Sequence, residues 1–162
     1  MKTYIGIDNG TSGSIGIMFF DKPSIYVPTP VKKEQDYTKK KKGITRLDTL
    51  RFIELLKALE EPFCIMERPL VNPARFFATE TALRCFESQL TILESLKIPR
   101  MFIDSKDWQK EMLPKGTKGA EQLKKASLDI GLRYFTKLED AIRKQKDADG
   151  LLIALWGKRN NL

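Results

Sequence analysis

The chain has 162 residues, a length for one domain with one core and too short for two substantial ones. Its 29 Lys and Arg against 21 Asp and Glu give a net charge of +8, which favours a polyanionic partner, nucleic acid or an anionic surface. Histidine is absent, which removes Ser-His and Cys-His catalysis and imidazole zinc sites together and leaves carboxylates, lysines or oxygen-bound metals to carry any hydrolytic chemistry. No apolar run approaches the roughly 20 residues that span a bilayer. The opening Met1-Lys2-Thr3-Tyr4-Ile5 lacks an apolar leader, so a cytoplasmic protein with no membrane partner is expected. Cys64 and Cys85 are far apart and flanked by apolar residues, as buried free thiols are.

In chain order, Tyr4–Ile7, Ser14–Phe20 and Ser24–Val27 read as three short strands of an antiparallel meander, separated by the turn signals Asp8-Asn9-Gly10 and Asp21-Lys22-Pro23. From about residue 31 to 43 the chain is rich in lysine and offers little to bury, so a mobile loop is expected there. Leu47, Leu50, Ile53, Leu56 and Leu59 recur at helical spacing and predict a helix over Arg46–Glu60, ended by Pro62. Phe63-Cys64-Ile65-Met66 then fits a buried strand with Glu67 at its end. A helix from Pro73 or Ala74 to Leu96, a strand over Arg100–Ile103, and helices over Lys106–Met112, Gly119–Phe135 and Ala148–Lys158 complete the pattern. A meander followed by alternating helices and strands describes an α/β fold, a mixed sheet flanked by helices, within a single domain over residues 1–162.

Three acidic features fall at element ends. Asp8 closes the first strand, Glu67 closes a later buried strand, and Asp147 and Asp149 precede the apolar run Gly150–Trp156. Each has a plain alternative: an Asp after a strand forms turns, and an Asp before a helix caps it. Glu67 is harder to dismiss, because it follows Phe-Cys-Ile-Met, where an ionised group is costly without a partner or metal. Such carboxylates can converge on one edge of a sheet, where open α/β sheets bind ligands. Carboxylate oxygens suit Mg²⁺, and two such ions can activate water and stabilise the leaving oxygen in phosphodiester cleavage.

Ile5-Gly6-Ile7-Asp8-Asn9-Gly10, Met66-Glu67 and Lys146-Asp147-Ala148-Asp149-Gly150-Leu151-Leu152-Ile153-Ala154 resemble the three acidic motifs of the RuvC family of Holliday-junction resolvases, especially its phage members. The resemblance runs through most of the chain in motif order. It implies an RNase H-like fold, Mg²⁺ or Mn²⁺ as cofactor, a homodimer, and paired nicks in four-way or related branched DNA. On that reading Asp8 bridges two ions, Glu67 and Asp149 each hold one, and Asp147 supports or completes the set. The family has two acidic residues three apart on the last helix, whereas the residue three before Asp149 is Lys146. Residues two apart on a helix do not share a face. Either Asp147 sits in a non-helical lead-in and still reaches the metal, or one of the pair stands behind the other.

Lys124-Lys125-Ala126-Ser127 is similar to the family's lysine-bearing helix, which implies that Lys124 or Lys125 steadies the scissile phosphate. Lys115, Lys118 and the 32–42 lysines are further candidates for phosphate contacts. Arg75 and Phe76, with Leu70 and Phe77, follow Glu67 where the family inserts side chains into the opened junction; stacking on a base, core packing and dimer contact are all open to Phe76 and Phe77. Trp108, with Lys106 and Lys110, resembles a recurring phage-family segment, and core packing is its expected role. Two other readings compete: a branched-DNA-binding module without chemistry, and, from Asp8–Gly13, a phosphate loop like those of sugar kinases and actin-like ATPases.

Overall fold

Seven strands and six helices build the computed structural model, which describes residues 2–37 and 42–162. β1 (Thr3–Ile7), β2 (Ser14–Met18) and β3 (Ile25–Pro28) form the antiparallel meander, and β6 (Pro62–Glu67) and β7 (Arg100–Ile103) extend it in parallel, giving a mixed sheet of order β3-β2-β1-β6-β7. This is the α/β arrangement expected from the sequence. Both cysteines are free and buried, also as expected.

Strand parity divides the core. Ile5, Ile7, Ile15, Ile17, Cys64 and Met66 face one side, under α1 (Thr49–Lys57) and α2 (Phe76–Ser95). The other face carries Ile65, Ile103 and Tyr26 under α3 (Ser105–Met112), α4 (Ala120–Tyr134), α5 (Glu139–Gln145) and α6 (Asp149–Arg159). α6 contributes Leu151, Leu152 and Ile153 to this second cluster, all fully buried.

α6 lies on the sheet at van der Waals backbone distance because two glycines make room for it. Gly6 and Gly16 are cross-strand partners, flanked in the same row by Tyr26 on β3 and Ile65 on β6. A Cβ on Gly6 would stand 2.2 Å from the Gly150 carbonyl oxygen and 2.4 Å from the Ala154 nitrogen, and one on Gly16 would stand 2.5 Å from Gly150 backbone atoms. Gly150 and Ala154, one helical turn apart, are the face that enters the notch.

Two expectations are corrected, and one element was not foreseen. The lysine-rich stretch is not simply a mobile loop: β4 (Val31–Gln35) and β5 (Gly43–Leu47) pair as an antiparallel hairpin outside the main sheet, while residues 38–41 lie outside the described residues. Its strands are polar because a two-stranded ribbon buries little, and Glu34 offsets the local charge by pairing with Lys32 at 2.6 Å and Arg46 at 2.8 Å. The helix predicted from Arg46 begins only at Thr49, because Arg46 and Leu47 belong to β5 and the Asp48 side chain accepts from the Arg51 N–H as its N-cap. The sequence reading also passed over α5, a seven-residue helix too short to show periodicity.

The glycine notch sets a test. Gly6→Ala and Gly16→Ala should each lower unfolding free energy by about 2–3 kcal/mol or more, since backbone must move to admit the methyl group. Gly43→Ala, whose Cβ would meet only the Glu34 carbonyl oxygen at 3.8 Å, should change stability little. Urea unfolding of the three variants measures the difference; equal stabilities would show that α6 is not seated as described.

Candidate active site

Asp8 and Glu67 occupy the next register positions after Ile7 and Met66, at the C-terminal ends of adjacent parallel strands. Parity puts them on the α6 side, with Gly6 and Ile65. Asp149 is the first residue of α6, and Asp147 lies in the turn before it. Lys146 closes α5 in the left-handed region (φ 70°) and Ala148 caps α6, so Asp147 is outside both helices. Asp147 therefore sits in a non-helical lead-in rather than on helical phase with Asp149.

Ser14 fastens these pieces together. Its carbonyl accepts from the Asp8 N–H at 3.0 Å, and its hydroxyl accepts from the Gly150 N–H at 3.2 Å and hydrogen-bonds the Tyr26 hydroxyl. Gln145, at the end of α5, donates to the carbonyls of Ser12 and Gly13 at 3.1 and 3.2 Å, holding the turn before α6 against the Asp8 loop.

Three carboxylates have an oxygen held by a buried donor, each from a different element. The Trp108 indole N–H, on α3, donates to Glu67 Oε2 at 2.6 Å. The Tyr26 hydroxyl, on β3, donates to Asp147 Oδ1 at 2.9 Å. The Ser127 hydroxyl, on α4, donates to Asp149 Oδ1 and accepts from the Ala148 N–H at 3.0 Å. Asp147 is only 3% exposed, and its Oδ2 lies 3.9 Å from Lys124 Nζ. Sequence reasoning missed Tyr26, which nothing distinguishes from an ordinary strand tyrosine. It assigned Trp108 to the core, which is correct, without its bond to Glu67.

Burial and mutual repulsion raise the proton affinity of the cluster. Desolvation pushes Glu67 up to about 7, with Asp149 and Asp104 adding to it and the Trp108 bond opposing. Asp149 is pushed up to about 6, by desolvation and then by Asp147, with Ser127 and Lys124 opposing. Asp8 is raised well above the usual carboxylate range by burial, then by Asp149, Glu67 and Asp147, and Lys124 alone counters them. Such a site favours added positive charge. All donors are carboxylate oxygens, which suits a hard divalent cation that retains waters. Among the described residues no group of three or more His, Cys, Asp or Glu side chains is arranged to hold a metal ion.

A groove of about 500 Å³ opens on Glu67, Asp149 and Lys124 and runs past Leu70, Lys106, Gln109 and Leu123. It continues into a second cavity of about 620 Å³ that shares those last four residues and adds Lys110, Leu113, Pro114 and Lys115. Of the basic candidates, Lys124 and Lys115 therefore line the groove. Lys125 points to a separate depression with Gln122, Asp129 and Arg133, and Lys118 is exposed before α4. Arg75 ends a short 3₁₀ turn, exposed, and Phe76 begins α2, 66% exposed with its ring edge-on to Phe77. Neither Phe76 nor the similarly exposed Phe77 belongs to the core, which leaves the stacking and dimer readings for both.

Solved structures that match nearly the whole chain include two of RuvC. Thermus thermophilus RuvC in complex with a Holliday junction substrate superposes with a TM-score of 0.65 at 14% identity, over 98% of this chain and 94% of that one. The chain has the RuvC fold. A second Thermus thermophilus RuvC structure gives a TM-score of 0.57 at 15% identity, over 98% of this chain and 96% of that one. No family model matches the sequence, and neither does any curated protein. Within the RuvC fold, the mixed sheet and its covering helices account for the convergence of Asp8, Glu67 and Asp149 on one edge.

The raised carboxylates fix the sign of a pH effect. Where folded-state pKa values exceed unfolded ones, the folded state binds more protons between about pH 4 and 7, so these groups stabilise at low pH and lose that contribution as pH rises through 6 to 7. In chelator, Glu67→Gln should therefore melt above wild type at pH 8, and the gap should close by about pH 5. Thermal melts across that range check it. A gap that does not change with pH would mean that Glu67 is not held protonated by its surroundings.

Proposed function

We propose that this chain is a RuvC-type endonuclease that uses divalent cations, Mg²⁺ or Mn²⁺, to nick branched DNA, with four-way junctions as its principal substrate. The observation that carries the reading is the meeting of Asp8, Glu67 and Asp149 at the C-terminal edge of β1 and β6, beside Lys124 and a lysine-lined groove, in a chain with the RuvC fold. The binding of a Holliday junction by the Thermus relative supports branched DNA as the substrate class.

Asp8, Glu67 and Asp149 would hold the cations, with Asp147 adjoining. When bound, these supply Lewis-acid activation of a water nucleophile and charge neutralisation at the phosphate. The chain's own groups do the rest. Lys124 reaches from α4 toward the carboxylates and is suited to hold a non-bridging phosphate oxygen as its charge grows. Lys106, Lys110 and Lys115 along the groove position the backbone without reading sequence. Arg75, Phe76, Lys118 and Lys125, farther out, are suited to contact the arms of a larger branched substrate. One nuclease unit per chain and paired nicks imply a homodimer. Among the described residues no helix is long and apolar enough to cross a membrane, and DNA as substrate places the work in the cytoplasm of a bacterial or phage-infected cell.

The test uses labelled four-way junction, flap and plain duplex. Wild type with Mg²⁺ should place symmetric nicks in the junction and none with chelator, and Asp8→Asn should reduce the rate by at least about 10³-fold while binding the junction as before. Near-normal nicking by Asp8→Asn would falsify the site. Tight, Mg²⁺-independent junction binding with no nicking by wild type would instead identify a branched-DNA-binding module.

A further inference from the structure

Trp108 is fully buried among Ile103, Met112 and Leu113, and packing alone would explain an apolar side chain there. It does not explain where the indole N–H goes. A buried indole prefers a hydrogen-bond acceptor, and this one takes a carboxylate oxygen of the site at 2.6 Å. The fold does not enforce such pairing everywhere, since the Trp156 indole nitrogen is buried without an acceptor. The Trp108 bond is therefore a feature of Glu67's surroundings.

We propose that Trp108 is a positioning residue for cation binding, setting the orientation of the Glu67 carboxylate so that Oε1 alone is presented to the ion; this rests on the metal-dependent nuclease reading above. The indole is a donor only, so it can satisfy a carboxylate but cannot compete with it for a cation. It engages Oε2, so Oε1 is the oxygen without a side-chain partner among the described residues. Its anchorage is rigid, because the ring is locked in the core beneath α3. The same helix presents Ser105, Lys106 and Gln109 to the groove. One element thus sets the carboxylate with its inner face and lines the substrate path with its outer face. Asp8, by contrast, is bound by no side-chain donor among the described residues, so its carboxylate is not oriented in this way.

Outer partners of metal ligands typically contribute about 10- to 100-fold in metal affinity. Trp108→Phe keeps an aromatic ring in the core but removes the N–H together with part of the indole's bulk, so it also costs some packing. Calorimetric titration of Mn²⁺ into the DNA-free protein should show affinity lowered about 10- to 100-fold against wild type. The melting temperature in chelator should fall by the lost packing in either case, so the Mn²⁺ affinity decides, and junction nicking should recover toward the wild-type rate at saturating Mn²⁺. A purely structural role would lower the melting temperature and leave Mn²⁺ affinity in the folded protein unchanged, and that result would overturn the proposal. Wild type that binds no Mn²⁺ would overturn the metal reading itself, whereas wild-type binding with equal binding by Trp108→Phe would remove only the positioning role. If Trp108→Phe does not fold, the Trp108 indole N–H resonance decides instead. Glu67→Ala should shift it and speed its solvent exchange, and an unmoved signal would sink the assignment.

Discussion

The close seating of α6 on β1 and β2 is the contact on which the site depends. A helix packed through ordinary side chains stands about 10 Å from a sheet. Here Gly6 and Gly16 remove two side chains from one row, and Gly150 removes a third from the helix, so backbone meets backbone. Tyr26 and Ile65 bound that row and act as walls on either side of the helix. Because Asp149 immediately precedes Gly150, seating the glycine brings the carboxylate to the strand ends. Ser14 locks the arrangement, tying the chain just after β1 and the first turn of α6 to one residue.

Bringing four carboxylates together has a cost that packing does not remove. Desolvation and like-charge repulsion both favour the protonated forms, and Lys124, itself mostly exposed, opposes this at Asp8. Single donors from three elements keep the groups oriented despite the repulsion: Trp108 on α3, Tyr26 on β3 and Ser127 on α4. The cluster is thus pre-set in geometry and unsatisfied in charge, a combination expected of a site that waits for a cation. The net charge of +8 acts on a longer scale than this local acidity. On the proposed reading, lysines along the groove would attract a polyanion, and the carboxylates would repel its phosphates unless positive charge lay between them.

Most of this was legible from residue order. Period-2 alternation in Tyr4–Asp8 and Phe63–Glu67 carries the two carboxylates to one face, and the apolar run after Asp149 marks the helix that must cover it. The hairpin was not legible, because Val31–Gln35 and Gly43–Leu47 form a polar ribbon whose stability comes from pairing and ion pairs rather than from a buried face. Nor were the orienting donors. Tyr26 and Asp147 are 121 residues apart, and Trp108 and Glu67 are 41 apart, so only the fold shows that they meet. Ser127 lies three residues after Lys124, which puts both on one side of α4, yet a serine in a helix carries no signal of its partner.

The spacing of Asp147 and Asp149 follows from the same geometry. Two residues apart on a helix would point the carboxylates about 200° apart, and they would not serve one site. The left-handed Lys146 and the capping Ala148 place Asp147 on a turn instead, where its direction is set by Tyr26 rather than by helical phase. Its Oδ1 is taken by the phenol, and its Oδ2 faces Lys124. A carboxylate so engaged at both ends is better placed to hold the lysine than to turn outward, whereas Asp149 keeps Oδ2 free of any described hydrogen bond. The irregular spacing therefore places the pair differently, with Asp147 held between Tyr26 and Lys124 and Asp149 held by Ser127 through one oxygen.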